Sequence, residues 1–283
     1  MKKQRYIYLL ALVPFLLVAF LYELLPLLMV IVNSFTSDQG AAGLTLENYG
    51  TVFSKLLYQK AILNSLKISL ISALIGIIIA FIGAKAAHES SGRLGRFFLT
   101  VLNMVSNFAG IPLALAFMLL LGNAGIFVQL GQKLGWDRLA NYNLYTSNGI
   151  SMVYVYFQVP LATLLLIPAF DGIRKEWKEA ASLLGSGSFT FWTRVGIPVL
   201  MPSILGTFNV LFANALAAYA TVYALMMNSI SLLPVQISGC FVGEVKIQKG
   251  LGGALSVTMM LIMVLMILLT NALTKPFQKG GQK

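Results

Sequence analysis

Residues 171–198 read DGIRKEWKEAASLLGSGSFTFWTRVGIP and form a charged loop between two apolar runs. The apolar side chains of the first half recur at the spacing of one helix face, with charged residues between them. Gly185 and Gly187 follow, and glycine ends helices because it adopts left-handed backbone angles at little cost. The stretch therefore predicts an amphipathic helix, a glycine break and a second short helix, after which Pro198 opens the next apolar run. The predicted apolar face consists of Ile173, Trp177, Ala180, Ala181 and Leu184.

The chain carries apolar runs on both sides of this loop that are long enough to cross a bilayer. A spanning helix needs about 20 mostly apolar residues, and the runs are continuous rather than alternating, which excludes barrel strands. The sequence thus predicts an all-α membrane protein of six spans, folded as one domain over residues 1–283. Residues 229–243 contain Pro234 and two glycines and are predicted to form an external loop. The predicted spans are about 7–32, 61–84, 97–121, 149–170, 199–227 and 252–273.

The composition supports a membrane protein and excludes several other classes. The chain is 58% hydrophobic and only 10% charged, whereas soluble domains carry roughly 25% charged residues. Its net charge is +11, but the basic residues lie at the ends of apolar runs and not along one stripe, so a nucleic-acid partner is not expected. A single cysteine, Cys240, and a single histidine, His88, exclude an internal disulfide and provide no metal-ligand spacing. His88 is expected in a solvated inner loop.

The distribution of Lys and Arg predicts how the chain is oriented. With the N-terminus inside, thirteen of these residues fall in inner segments and six in outer segments. Cytoplasmic loops hold the excess of positive charge, so both termini are predicted to be cytoplasmic and loop 171–198 lies on the inner side. The first apolar run is too long for the core of a signal peptide, and no cleavage site closes it, so it is predicted to remain as a span.

The inner loop also carries a spaced motif. Glu179-Ala180-Ala181 is followed after three residues by Gly185, and after nine more by Val195-Gly196-Ile197-Pro198. This pattern resembles the EAA motif of binding-protein-dependent ABC importer permeases, the family with the MetI-like fold, whose last element is Ile-x-Leu-Pro. Val195 and Ile197 depart from that element by apolar exchanges only. The resemblance continues in Pro26, Asn33-Ser34-Phe35, Asn64-Ser65 and Gly122-Asn123-Ala124-Gly125, and the six-span plan resembles polyamine-, ferric-iron- and phosphonate-type permeases.

This resemblance implies a function and a set of partners. The chain would be the permease subunit of an importer in a bacterial inner membrane, forming the path for a small hydrophilic solute that is polyamine-, aminophosphonate- or iron-like. An extracellular or periplasmic binding protein would deliver the solute. A second permease subunit, either a different chain or another copy, would complete the pore, and the resemblance favours a different chain. Two ATPase subunits would bind ATP and Mg, because this chain has no phosphate-binding Gly-x-x-x-x-Gly-Lys-Ser/Thr motif and no cofactor of its own. The chain itself is therefore not expected to be an enzyme.

The same resemblance assigns the contact with the ATPase to the inner loop. A headgroup-bound amphipathic helix is the alternative explanation of the pattern, and the motif spacing favours ATPase docking. The residues implied are Trp177, Glu179, Ala180, Ala181, Leu184, Gly185 and Pro198.

Four polar residues within the spans are candidates for the translocation path. Asn107, Gln158 and Asn214 either line a pore or join helices by hydrogen bonds, which are worth only about 0.6 kcal/mol on average. Glu23 is the only acid deep in a span, where a charge costs about 2.5–3.5 kcal/mol. A helix-interface partner or a neutral carboxyl explains Glu23 better than a binding point for a cationic substrate.

A second functional class remains open from the residues alone. An ion-gradient-driven secondary transporter or a channel would also be an all-helical membrane protein. Such transporters show inverted repeats and ionisable relays at the midplane, whereas this sequence has one midplane acid and no evident repeat. A membrane-bound enzyme would require a cluster of His, Asp, Glu or Cys, which the sequence does not present.

Overall fold

The computed structural model describes residues 12–38, 43–90, 92–226, 230–242 and 247–279. Within these ranges the chain is helical apart from its connections, and the only strand-like pairing is a single bridge between Thr36 and Leu44. The prediction of an all-α fold is confirmed. The helices are α1 (Leu12–Ser34), α2 (Glu47–Ser54), α3 (Leu56–Glu89), α4 (Gly92–Ser106), α5 (Gly110–Leu121), α6 (Ile126–Leu134), α7 (Asp137–Ala140), α8 (Ser147–Leu166), α9 (Lys175–Leu183), α10 (Ser188–Ala217), α11 (Ala220–Met226), α12 (Leu233–Val242) and α13 (Lys249–Lys279).

Six helical segments of the described chain are long and apolar enough to cross a membrane, which confirms the predicted number. They are Leu12–Ser34, Leu56–Glu89, Gly110–Leu134, Ser147–Gly172, Ser188–Ala217 and Lys249–Phe277. Residues 7–11 of the first predicted span and residue 227 of the fifth lie outside the described residues. The termini, 1–11 and 280–283, lie outside them as well, so their cytoplasmic placement stays a prediction.

The third predicted span, 97–121, differs most from the structure. It is not one helix, because α4 ends at Ser106 and α5 begins at Gly110. Ala109 is extended, and Gly110 has a φ of +72°, a left-handed conformation that glycine adopts at little cost. The apolar pattern alone could not reveal this break, because apolar residues dominate on both sides of it.

Pro198 lies inside α10 and does not open it, so that part of the prediction is wrong. The helix starts at Ser188, and its turns over Trp192–Gly196 are widened to π geometry. Proline has no N–H and its ring clashes with the carbonyl of the preceding turn, and a π segment accommodates this within a continuous helix. Helix α1 shows the same arrangement, with a π segment at Phe20–Leu24 just before Pro26.

The prediction of a loop over 229–243 is also wrong for the residues that the structure describes. Helix α12 runs from Leu233 to Val242 and packs against α13 and α3, with Leu233, Val235 and Cys240 buried. Pro234 occupies the first turn of the helix, where no intrahelical N–H bond is needed. In the sequence, Pro234 favoured the prediction of a loop, whereas in the structure it lies in the first turn of a helix.

Helices α3 and α8 form the centre of the fold, and α10 packs across both. Small side chains on α3, including Ala73, Gly76 and Ala80, lie at this contact and are completely or largely buried. Small residues allow membrane helices to approach closely, and packing rather than hydrophobic transfer stabilises such contacts in lipid. The six-span body is therefore held together by a tight core of small residues on α3.

The end of the fold that is predicted to face outward is fastened by polar contacts to the start of α13. Both carboxylate oxygens of Asp38 accept hydrogen bonds from the backbone N–H groups of Gly250 and Leu251, at 2.8 and 2.9 Å. These are two of the N–H groups that a helix start leaves without an intrahelical partner. The Asn48 amide donates to the Ser34 carbonyl at 3.1 Å, which joins α2 to α1. The loop between the first two spans thus caps the last span.

Candidate functional site

Helix α9 projects from the body of the chain, and none of its nine residues is buried. A short 3-10 helix, Ile167–Gly172, leads to it from the end of α8. Beside its C-terminus, Leu183 and Leu184 are 89% and 86% exposed, and Phe189 is 82% exposed. Exposed apolar side chains of this size, grouped around one turn just before and at the very start of α10, indicate a contact surface for another protein.

The turn after α9 has a defined geometry. Gly185 adopts a φ of +76°, and its N–H donates to the Ser182 carbonyl at 3.0 Å while the Ser186 N–H donates to the Ala181 carbonyl at 2.9 Å. These two bonds form a Schellman motif, which satisfies the carbonyls at a helix end. The predicted helix end at Gly185 is confirmed, whereas Gly187 has an ordinary φ of −70°. Only Gly185 requires a glycine.

An aromatic cluster supports the base of this loop. Phe170 lies 5.4 Å from Phe81 and 6.1 Å from Trp192, measured between ring centroids. The Lys85 ammonium stands over the Trp192 ring at 4.8 Å, and the His88 ring stacks on Phe170 at 5.9 Å. Cation–π contacts of this kind add to the packing of the rings. The cluster joins the end of α3, the 3-10 helix that follows α8 and the first turns of α10, all at the predicted inner side.

His88 is therefore not simply solvated, as the sequence suggested. Besides stacking on Phe170, it places Nδ1 at 3.5 Å from a carboxylate oxygen of Asp171. The contact joins the C-terminal end of α3 to the segment that leads into α9. A cleft of about 440 Å³ opens between this contact and α9. Its lining includes His88, Phe170 and Trp192 of the cluster, together with Glu179.

The residues assigned to ATPase coupling divide into two groups. Trp177, Glu179, Ala180, Leu184 and Gly185 are exposed along α9 and its terminal turn, and Ala181 is half-buried. The Arg174 guanidinium covers the Trp177 ring at 5.9 Å. Pro198 lies within the body of α10, half-buried, and is not part of the exposed surface.

Sequence reasoning missed two residues of this surface. Leu183 and Phe189 are among its most exposed apolar side chains, yet neither falls on the predicted helix face. Leu183 and Phe189 flank the glycine turn in the sequence, and this position was the signal from which their exposure could have been predicted. We use the term coupling surface for Glu179, Ala180, Leu183, Leu184 and Phe189.

A second feature lies where two interrupted helices meet. The α4–α5 break at 107–109 lies beside the α10–α11 break at 218–219, because α5 packs against α11. The Gly110 N–H donates to the Thr221 hydroxyl at 3.1 Å, and that hydroxyl donates to the Gly110 carbonyl at 3.3 Å. The Tyr154 hydroxyl donates to the carbonyl of Ala218 at 3.0 Å. Backbone groups freed by the breaks are thus satisfied by buried side chains, as non-helical backbone within a membrane requires.

The outward side of these breaks carries polar side chains. Asn107 and Asn214 are both exposed, the first at one break and the second one turn before the other. The rings of Tyr219 and Tyr223 stack beside the second break, with centroids 5.2 Å apart. The structure therefore brings two of the four path candidates to the same pair of interrupted helices.

The other two candidates lie elsewhere. Gln158 is completely buried, and its amide donates to the Ser72 hydroxyl at 3.1 Å, joining α8 to α3. This position disagrees with a pore-lining role and fits a helix-joining one. Glu23 lies in the π segment of α1 and is exposed on the outside of the chain. Asn209, another polar residue of the fifth span, bonds to Thr270 of α13 at 2.6 Å.

Replacing Thr221 by Val tests whether the two breaks depend on each other. Valine keeps the shape but removes both bonds to Gly110, and the Gly110 N–H, which a helix start leaves without an intrahelical partner, is then unsatisfied. An unsatisfied buried group costs about 1–3 kcal/mol. We expect a lower midpoint of thermal unfolding in detergent. Thr100→Val is the matched control, because Thr100 is exposed and bonds only within α4, so a change of less than about 0.5 kcal/mol is expected. Equal effects of the two substitutions would contradict the pairing.

The described residues contain no group of three or more His, Cys, Asp and Glu side chains that could hold a metal ion. Helix α9 presents an exposed surface, and the two breaks present hydrogen-bonding groups.

Comparisons with known proteins find relatives among membrane transport permeases. No family model matches the chain. It is 25% identical to the probable sulfate transport system permease protein cysT of Helicosporidium over 252 residues, 88% of each chain. It is also 25% identical to the spermidine/putrescine permease PotC homolog of Mycoplasma genitalium, over 79% of this chain and 77% of the relative. The spermidine/putrescine permease PotB of Haemophilus influenzae is 30% identical over 65% of each chain.

The fold is shared with solved structures. A bacterial alginate ABC transporter, in complex with a periplasmic protein bound to alginate pentasaccharide, contains a chain that superposes with a TM-score of 0.80. The match covers 98% of this chain and 96% of that one at 15% sequence identity. A second structure of a bacterial ABC transporter involved in alginate import gives a TM-score of 0.75 over 97% of this chain. Identity this low establishes the common fold alone.

Proposed function

We propose that this chain, whose homologues are ABC transport permeases, is the permease subunit of an ATP-driven importer for a small hydrophilic solute. Relatives of this kind are non-catalytic, and six apolar segments make the chain a multi-pass membrane protein. A bacterial inner membrane is its proposed location. The observation that carries the proposal is α9, a helix without any buried residue, which bears the Glu-Ala-Ala motif and is closed by Gly185.

The proposed partners follow from the surfaces that the chain leaves free. Two ATPase subunits, holding ATP and Mg, would lie beneath the membrane, and one would bind the coupling surface through its exposed apolar side chains. A binding protein would deliver the solute from outside, as a periplasmic protein is bound to the alginate transporter of the same fold. A second permease subunit would complete the path, because six spans enclose too little space alone.

The mechanism would run through α10. Its first residue, Ser188, follows α9 by only a few residues, and the Schellman turn fixes the angle between the two helices. Movement of α9 with a closing ATPase would therefore be transmitted to α10. The far end of α10 is the break at 218–219, which Thr221 fastens to the break before α5. A displacement at the inner surface would thus change both breaks together, which is the rigid-body coupling that alternating access requires.

The interrupted helices are the proposed site of the translocation path. Discontinuous helices form the substrate sites of many transporters because their ends present free backbone groups within the membrane. Asn107 and Asn214 add amide groups on the open side, while neither break carries a charged residue. The path would accordingly recognise a solute by hydrogen bonds, and selection by charge would reside in the binding protein. Polyamine-, aminophosphonate- and iron-like solutes are the proposed classes.

A pull-down of the tagged chain, expressed from its native locus and purified in mild detergent, tests the function. We expect an ATPase subunit to co-purify and to hydrolyse ATP. Glu179→Lys, on the coupling surface, is expected to remove the ATPase from the complex. Asp137→Lys makes the same charge change on α7, at the predicted outer side, and is expected to retain it.

The opposite result would redirect the assignment. If an intact complex contains no ATPase, the coupling surface does not bind one, and an ion-gradient-driven transporter becomes the better assignment. If Glu179→Lys and Asp137→Lys both retain the ATPase, the enzyme binds the permease at another surface.

A further inference from the structure

Helix α6, Ile126–Leu134, presents three different surfaces around its axis. The first is buried against the chain and consists of Val128 and Gly131. The second is apolar but between 44% and 59% exposed, and consists of Ile126, Phe127, Leu130 and Leu134. The third is polar and exposed, and consists of Gln129, Gln132 and Lys133. With about 3.6 residues per turn, these sets occupy three separate sectors of the helix. One sector is therefore neither packed against protein nor suited to water.

The hairpin that α6 forms with α7 lies at the level where α5 ends and α8 begins, on the predicted outer side. Leu139 of α7 packs on the core cluster that contains Leu121, the last residue of α5, and Leu144, which precedes α8. Helix α6 is tied closely to α7, since a Cβ on Gly131 would lie 2.6 Å from the Ala140 nitrogen. The ends of spanning helices mark the level of the membrane surface. Helix α6 thus lies at the depth of the lipid headgroups.

The C-terminal end of α6 carries side chains that are typical of a membrane interface. Gly135 ends the helix with a φ of +68°, and Trp136, which follows it, is 61% exposed. Tryptophan is enriched at the headgroup level because its ring is apolar and its N–H is polar. Lys133 borders the apolar sector, so its stem can cover apolar surface while its ammonium reaches lipid phosphates. A phospholipid surface therefore matches both the apolar and the charged parts of this end.

We propose that α6 lies along the outward-facing surface of the bilayer and binds phospholipid through its exposed apolar sector. Interfacial helices bury such a face about 5–10 Å into the boundary between headgroups and acyl chains. Each sector of α6 then meets its own environment, which is protein, lipid or water. The anchor holds the end of α5 at a fixed depth while α10 moves. The inference goes beyond the proposed function, because it requires only that the chain spans a membrane.

Tryptophan fluorescence of the full chain in proteoliposomes tests this placement. The chain has three tryptophans, Trp136, Trp177 and Trp192, and replacing all three by Phe gives the background. Leu130→Trp then reports on the apolar sector, and Gln132→Trp, on the same helix, is the matched control for the polar sector. Phospholipid brominated in the upper part of its acyl chains is expected to quench Leu130→Trp about twofold more than Gln132→Trp, because only the apolar face enters the lipid. Aqueous iodide, present on both sides of the membrane, is expected to show the reverse preference.

Three results would overturn the proposal. Equal quenching of the two positions by brominated lipid would show that α6 has no lipid-facing side. If iodide quenches Leu130→Trp and the lipid does not, the apolar sector is open to water, where a binding protein could reach it. Protection of Leu130→Trp from both quenchers would show that another protein surface covers it. Leu134→Trp, in the same sector, repeats the measurement if Leu130→Trp does not fold, and co-purification of an ATPase is decided separately from all of these outcomes.

Discussion

Replacing Leu184 by Asp is expected to abolish solute uptake and to separate the chain from its ATPase. Leu184 is 86% exposed and bonds to α9 only through its backbone, so the substitution leaves the fold intact. An apolar anchor at the centre of a protein interface contributes about 2–4 kcal/mol, which corresponds to a loss of about 30- to 1000-fold in affinity. The measurement is the amount of ATPase that co-purifies with the tagged permease, together with uptake into proteoliposomes.

The control for this prediction is Leu44→Asp. Leu44 is 81% exposed and lies in the connection between the first two spans, which is at the predicted outer side. The same loss of an exposed leucine there is expected to leave ATPase binding unchanged. A Leu184→Asp variant that retains the ATPase at the level of the control would show that the exposed turn beside α9 is not the binding surface.

Replacing Gly250 by Ala is expected to prevent the chain from reaching a stable fold. A Cβ at this position would meet the Thr36 carbonyl oxygen and would lie 2.7 Å from the Asn48 amide nitrogen. The carbonyl belongs to the backbone and cannot rotate away, and the shift would also separate Asp38 from the start of α13. Overpacking alone costs about 1–3 kcal/mol, and each lost bond to a carboxylate adds about 1.5–3 kcal/mol.

Size-exclusion chromatography of the detergent extract after a temperature series measures this effect as the fraction that remains monodisperse. Gly239→Ala is the matched control, because Gly239 is helical and exposed, and a Cβ added there would have no other atom within 4 Å. Alanine there is expected to be neutral or stabilising by up to about 1 kcal/mol, since it favours helix over glycine. Equal stability of the two variants would show that the outer loop does not cap α13 as described.

The coupling surface shows how far sequence reasoning reached. The helix, its end at Gly185 and the exposure of Glu179 and Leu184 follow from periodicity and from glycine chemistry, which act over a few residues. Leu183 and Phe189 were missed because a single helix face was extended through a turn that breaks the periodicity. The exposure of such residues depends on how far the loop projects from the body, which no local pattern records.

For the candidates of the translocation path, by contrast, local sequence patterns could not predict which residues are exposed. Asn107, Asn214 and Gln158 are chemically similar and lie in similarly apolar surroundings along the chain. The structure exposes the first two at the helix breaks and buries Gln158 against Ser72. Whether a polar residue lines a cavity or joins two helices depends on helix rotation, and rotation is set by neighbours distant in sequence.

The sequence by itself determined that the chain is helical, has six segments long and apolar enough to cross a membrane, and carries a charged loop with a helix ended by glycine. These properties depend on hydropathy, on charge and on backbone conformation, all of which are local. Only the tertiary structure decided that the helix breaks at 107–109 and 218–219 lie side by side and that Thr221 joins them. It also decided that Asp38 caps the last span. These contacts bring together groups more than a hundred residues apart, because each satisfies backbone atoms that its own helix leaves free.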